Sequence, residues 1–240
     1  MTAAKKSTGG RDRARLAAEQ AAARRRERWV LLGVLAGLIA VVVAGGIGLQ
    51  AWRTNRAPAA VAVSSPSAAA ATISAGRPIV FGEGSAPVVV TLFSDFHCPH
   101  CAEFDEQYAP VLDQARQSGR ARVELYPMAF IDEGSATAAN AFACAAEAGF
   151  VPGYYVGLFA NRTLTWNDDQ LVALAGAVGA TASPQFTQCV TSRDHAGWVD
   201  SINASAAQQG VTGTPTLFVD GARTDVTKLT PNGLAAMINS

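Results

Sequence analysis

Two thiols separated by two residues, in Cys98-Pro99-His100-Cys101, are the groups of this chain best suited to chemistry. Ahead of them the run Val88-Val89-Val90-Thr91-Leu92-Phe93 reads as a buried strand. Behind them Phe104, Tyr108, Val111, Leu112 and Ala115 recur at helical spacing. The motif therefore falls where a strand ends and a helix begins. Free backbone N–H groups and the macrodipole at a helix N-terminus stabilise a thiolate. The chemistry this suits is thiol–disulfide exchange. Cys98, at the helix start, attacks or is attacked, and Cys101, one turn further in, releases the partner. Pro99 fixes the first-turn backbone where its missing N–H costs little. His100, as a cation or hydrogen-bond donor, would add positive potential beside Cys98. A stabilised thiolate is a stabilised reduced form, and hence an oxidising disulfide.

A C-x-x-C pair can also be half of a zinc site. Zinc needs four ligands, and the chain carries no second C-x-x-C and no H-x₃₋₅-H pair. His97 and His100 flank the sulfurs, which keeps metal loading conceivable, but redox is the favoured reading and no metal is expected. A second signal is Thr214-Pro215, after Gly213 and directly before Thr216-Leu217-Phe218-Val219. A proline there suits a tight turn or a cis bond ahead of a terminal strand. In folds that open on such a dithiol helix, a loop of this kind faces the sulfurs and offers backbone groups to an extended substrate.

The net charge of zero hides an asymmetry. Residues 1–28 carry nine Lys/Arg against three acids, whereas residues 53–240 carry ten basic and sixteen acidic side chains. A basic arm alone would suggest nucleic acid. This one abuts 24 uncharged residues, 29–52, with Trp29 and Trp52 at the ends. At about 1.5 Å per residue that run crosses a hydrocarbon core of about 30 Å. The basic flank then stays in the cytoplasm and everything after the span lies outside. Ala60-Val61-Ala62 would serve signal-peptide cleavage, but the apolar run exceeds the usual 7–15 residues of such peptides. A retained single-pass anchor is expected, with no nucleic-acid partner.

The elements that position the chemistry follow from the remaining pattern. Residues 1–28 form a basic cytoplasmic tail, disordered or loosely helical. Residues 53–77, rich in Ala, Ser and Pro, read as a flexible tether without a core of its own. Strands are predicted over 78–81, 88–93 and 121–130, with a helix from 98 to about 118 between the last two, which implies a parallel pair. A helical stretch follows over about 135–209. A strand over 216–219, a turn at Asp220-Gly221 and a short helix over 231–238 close the domain.

SDFHCPHC, the Ala-rich helix with Cys144, FTQCVTS around Cys189, and TGTPTLFVDG together resemble a DsbA-like thiol:disulfide oxidoreductase of the membrane-anchored actinobacterial type. The resemblance implies an α/β thioredoxin-like fold over 78–240 with an inserted helical domain at about 132–209. It implies Cys98 as nucleophile, Cys101 as resolving cysteine and Pro215 as a cis-proline that meets substrate with Thr214. The redox-active disulfide Cys98–Cys101 takes the place of any cofactor. Implied partners are unfolded secreted proteins with free cysteines and a DsbB-like or VKOR-like membrane protein that re-oxidises the dithiol. It also implies that Cys144 and Cys189 pair, the alternative being two buried free thiols.

Two departures bear on redox strength. Leu92 stands where thioredoxins carry a buried carboxylate, and the nearer Asp95 reads as a helix cap. Thr214, where the enteric oxidase has valine, also resembles the disulfide isomerases. Other candidates read as structural: His195 beside Asp194 as a surface pair, Asp168-Asp169 as a helix start, and Trp166 and Trp198 as packing. Asn161-Arg162-Thr163 and Asn203-Ala204-Ser205 match a glycosylation pattern of low specificity.

Overall fold

The computed structural model describes residues 9–63 and 68–240, with side chains from 25 onward. Residues 1–8 of the basic tail and 64–67 of the Ala/Ser/Pro-rich segment lie outside the described residues. The chain divides into two units, Met1–Trp52 and Arg53–Ser240. The first is the helix α1 (Gly9–Asn55) up to Trp52. Its Arg25–Asn55 portion is long and apolar enough to cross a membrane. Leu38 and Val42 on it are 60% and 73% exposed.

The second unit is built on a five-stranded sheet in the order β1-β3-β2-β4-β5. Its strands are β1 (Ile79–Phe81), β2 (Val88–Ser94), β3 (Ala121–Pro127), β4 (Thr216–Val219) and β5 (Ala222–Thr224). β2 and β3 run parallel, joined through α2 (Pro99–Gln117), while the other pairs are antiparallel. The register sets Leu92 opposite both Leu125 and Leu217, each no more than 2% exposed. That apolar row across three strands explains why position 92 carries leucine. A carboxylate there would be desolvated by its two leucine partners. β2 alternates buried and half-buried residues at its start and is fully buried over Leu92–Ser94, the end that feeds the dithiol.

Between β3 and β4 lie five helices: α3 (Glu133–Glu147), α4 (Val151–Ala160), α5 (Asp168–Ala177), α6 (Pro184–Ser192) and α7 (Ala196–Gln208). α3 is their centre. It packs against α4, α5, α6 and α7, and its alanines at 138, 139, 141, 143, 145 and 146 are fully buried. Small side chains on every face are what let four helices approach one. Asp132 caps α3 by accepting the Ser135 N–H, and Asn167 and Gln170 form a reciprocal capping box on α5. The chain ends in α8 (Pro231–Asn239), which packs on α2.

One expectation is corrected. The segment read as a flexible tether is laid along the helical layer over its described residues. Asn161 exchanges two hydrogen bonds with the backbone of Ala59, and the Val61 N–H donates to the Ala177 carbonyl. Ala68 and Ala71 donate to Gly149 and Ala146, and Val63, Ala71 and Ile73 pack on the core. Composition alone does not reveal this, because the partners lie about 100 residues away on other elements.

Candidate functional site

The end of β2 and the start of α2 bring Cys98 and Cys101 together as a dithiol. Cys98 is the N-cap residue, with extended backbone (φ −74°, ψ 118°), and Pro99 occupies the first turn. Cys98 is 6% exposed and Cys101 1%, so the outer sulfur is the one a partner can reach. Opposite them the Thr214–Pro215 peptide bond is cis. The Thr214 carbonyl oxygen lies 3.5 Å from Cys98 Sγ, within reach of the thiol proton.

The two sulfurs are strongly unequal. Cys98 is lowered to about 5, first by a hydrogen bond from the Cys101 thiol and then by the Thr214 side chain and the backbone N–H groups of Cys101 and His100, against the opposing effect of burial. Cys101 is raised far above the ordinary thiol range by that same shared hydrogen bond and by burial. One proton shared by two neighbouring thiols goes to the deeper sulfur. The helix N-terminus thus acts through its free N–H donors, as expected for a thiolate at this position. The His100 ring contributes differently from the expectation. It is 79% exposed, pairs with Glu103 at 3.1 Å, and is raised first by that carboxylate and only then by Cys98.

Asp95 does not cap α2. It is fully buried and accepts three hydrogen bonds, from the backbone N–H groups of His97 and Phe130 and from the Ser135 hydroxyl. It ties the active loop to the end of β3 and the start of α3, while its own N–H donates to Cys101 Sγ at 3.4 Å. His97 makes a second tie: Nδ1 lies 2.6 Å from Asp132 Oδ1 and Nε2 3.0 Å from the Leu164 carbonyl. Neither neighbouring histidine therefore presents its ring to the sulfurs as a metal ligand. Gly134 leaves room for His97, since a Cβ at 134 would lie 2.3 Å from the His97 ring and 2.6 Å from the Thr165 carbonyl.

Cys144 and Cys189 form a disulfide between α3 and α6, with Cα atoms 5.9 Å apart. His195, whose ring lies near this disulfide, pairs with Glu147 at 2.9 Å rather than with Asp194. Asp168 opens α5 and pairs with Arg193. Trp198 donates its ring N–H to the Arg77 carbonyl, and Trp166 is 1% exposed, so both are packing residues. Asn161 and Asn203 use their side chains in internal hydrogen bonds. Asp105 and Tyr155 are two further titratable groups whose protonated forms burial favours. Asp105 follows Cys101 by four residues on α2, and Tyr155 comes from α4. The signal for Asp105 in the sequence is its position: an acid one turn beyond a catalytic-type cysteine, between Phe104 and Tyr108.

A family model described as thioredoxin matches residues 74–240. No curated protein matches the chain in sequence. Among solved structures, reduced DsbA from Mycobacterium tuberculosis is similar with a TM-score of 0.58 at 21% identity, over 68% of this chain and 91% of that one. MdbA from Corynebacterium diphtheriae, a thiol-disulfide oxidoreductase, gives 0.58 at 23% identity over 74% and 94%. Oxidised BdbD from Bacillus subtilis gives 0.59 at 19% identity over 70% and 97%. With the match spanning the sheet, the dithiol helix and the inserted helices, the chain belongs to the thioredoxin family and has the fold shared by DsbA-type proteins.

Proposed function

We propose that this chain is an extracytoplasmic thiol–disulfide oxidoreductase that passes its Cys98–Cys101 disulfide to secreted or membrane proteins during oxidative folding. The observation that carries the reading is the asymmetry of the two sulfurs, with Cys98 held at about 5 and Cys101 buried and held protonated. A client thiolate attacks Cys98 Sγ. The Cys98–Cys101 bond breaks, its electron pair leaves on Cys101, and Cys101 takes up a proton. A second client thiolate then attacks the client sulfur of the mixed disulfide and expels Cys98 as its stabilised thiolate. The client is oxidised by two electrons and the enzyme reduced by two. Release is favourable because the leaving sulfur is the one with the low pKa.

The Thr214 carbonyl oxygen, 3.5 Å from Cys98 Sγ, supports a substrate-facing role for Thr214 and Pro215. α1 supports a membrane anchor with the basic flank inside and the catalytic domain outside. In such a compartment the dithiol would be re-oxidised by a membrane protein of the DsbB-like or VKOR-like class.

Equilibration of the purified protein with glutathione buffers tests the direction. A reduction potential near about −120 mV is the expected result, whereas one near about −270 mV would make the protein a reductase. Metal content after purification tests the non-redox alternative. One equivalent of zinc or copper, lost in Cys98→Ser, would overturn the enzyme reading.

A further inference from the structure

Away from the dithiol, three helices bring metal-type ligands together at α3. Cys144 and Glu147 stand three residues apart on α3 and so share a face. Cys189 comes from the last turn of α6, Arg193 then turns the chain in a left-handed conformation, and His195 opens α7 as its N-cap. The two sulfurs and a ring nitrogen of His195 all lie within 4.8 Å of one another. Glu147 Oε2 lies 2.9 Å from His195 Nε2, which puts a fourth donor at the same place. Two thiolates, an imidazole and a carboxylate suit zinc, whose tetrahedron takes sulfur, nitrogen and oxygen donors together. Zn–S bonds of about 2.3 Å and Zn–N bonds of about 2.0 Å set such donors about 3.3–3.8 Å apart. The observed spread exceeds that by about 1 Å, a shift within reach of side-chain rotation. Cys144 and Cys189 are 2% and 8% exposed, whereas the Glu147 side chain is 47% exposed and gives an ion its way in. Asn140, one turn before Cys144, accepts the His195 backbone N–H at 2.9 Å and sets its amide nitrogen 4.0 Å from Cys144 Sγ. It thereby orients two of the ligands, as outer groups of metal sites do.

We propose that before its disulfide forms the chain holds one zinc ion between the Cys144 and Cys189 thiolates, His195 and Glu147, and that oxidation of the cysteines ejects it. Both thiols give up their protons as the ion binds. A disulfide oxidant, protein or small molecule, converts the site. One of the two thiolates attacks it and displaces the first of its sulfurs as a thiolate. The other cysteine attacks the resulting mixed disulfide, the Cys144–Cys189 bond forms, and the second oxidant sulfur leaves. The cysteines lose two electrons and the oxidant gains two. Zn²⁺ departs without change of charge, and His195 returns to its pair with Glu147. Until that exchange the ion joins α3 to α6 where the disulfide later does, and it keeps both thiols from pairing with Cys98 or Cys101.

The full chain carrying Cys98→Ser and Cys101→Ser isolates this site, so the result does not depend on the proposed exchange function. Reduced with a phosphine, which adds no competing thiol, it is titrated with Co²⁺ and then with Zn²⁺. One equivalent of cobalt should bind with sulfur-to-metal charge transfer and the intense visible bands of a tetrahedral ion, and zinc should displace it. The same chain with its Cys144–Cys189 disulfide intact should give no such spectrum. His195→Ala should weaken zinc binding on the order of 100-fold and Glu147→Gln on the order of 10-fold. Glutathione disulfide should release one zinc per disulfide formed, read with a chromogenic chelator. No tetrahedral spectrum from the reduced chain, or unchanged zinc affinity in His195→Ala, would overturn the proposal. If the reduced chain unfolds without metal, zinc should restore its near-ultraviolet circular dichroism, and should fail to do so in His195→Ala. Failure to restore it in the chain that keeps His195 would overturn the proposal equally.

Discussion

At the scale of single residues, the inequality of Cys98 and Cys101 makes the stability of the reduced protein depend on pH in a definite direction. Cys98 is held at about 5 in the folded dithiol against about 9.0 for an ordinary thiol. A depressed pKa contributes stability that is full above the unfolded value and lost as pH falls through the folded one. The reduced form should therefore lose stability relative to the disulfide form between about pH 9 and pH 5, by at most about 1.4 kcal/mol per unit. Cys101, raised by the same shared hydrogen bond, acts in the opposite sense only above about pH 9. Denaturant melts of both redox forms at pH 5 and pH 8 check this, and an equal gap at the two pH values would refute the thiolate assignment. The dithiol and Pro215 were legible because their chemistry is written in neighbouring residues. The roles of Asp95 and His97 were not. Their partners, Phe130, Ser135, Asp132 and Leu164, lie 35 to 67 residues away, and no local pattern announces them.

At the scale of elements, the helical layer is pinned to the active loop and to itself by two separate devices. Gly134, on the first turn of α3, lets His97 reach Asp132 and Leu164. Gly134→Ala sets a Cβ against the backbone carbonyl of Thr165 as well as the ring, so neither neighbour can simply swing aside. It should destabilise by about 1–3 kcal/mol through overpacking, read as a lower midpoint in a denaturant melt. A midpoint equal to that of the unmodified protein would show that the loop and α3 are not coupled there. The second device is the Cys144–Cys189 bridge, which closes a loop with a sequence separation of 45. In the chain-entropy model its removal by Cys144→Ala with Cys189→Ala costs about 4 kcal/mol. The alkylation rate of Cys98 should stay unchanged, since the bridge joins α3 to α6 and not to α2. β1 to β4, α2 and α8 were readable from periodicity and turn residues, whereas the three-residue β5 was too short to show a pattern. The path of residues 53–63 was not, although buried polar side chains on the helices, Asn161 and Gln170, are the hint that some backbone must satisfy them.

At the scale of the whole molecule, charge and hydropathy decide where the chemistry can take place. The basic excess lies entirely before the apolar run and the acidic excess after it, and positive charge flanking a span stays on the cytoplasmic side. The bridge between Cys144 and Cys189 is the kind of bond that persists in an oxidising compartment, which agrees with that orientation. The two arguments are independent, one resting on lipid insertion and the other on redox environment. Together they predict opposite accessibility for two positions in intact cells. After mild reduction, a membrane-impermeant maleimide should label Cys98 from outside. In a Cys98→Ser, Cys101→Ser background, a thiol introduced as Glu27→Cys should react only once the membrane is permeabilised. Labelling of Glu27→Cys in intact cells would invert the topology, and with it the proposal that the dithiol works on exported proteins. A thiolate held at about 5 would then face reducing cytosol, where a dithiol so poised would remain reduced and transfer no disulfide.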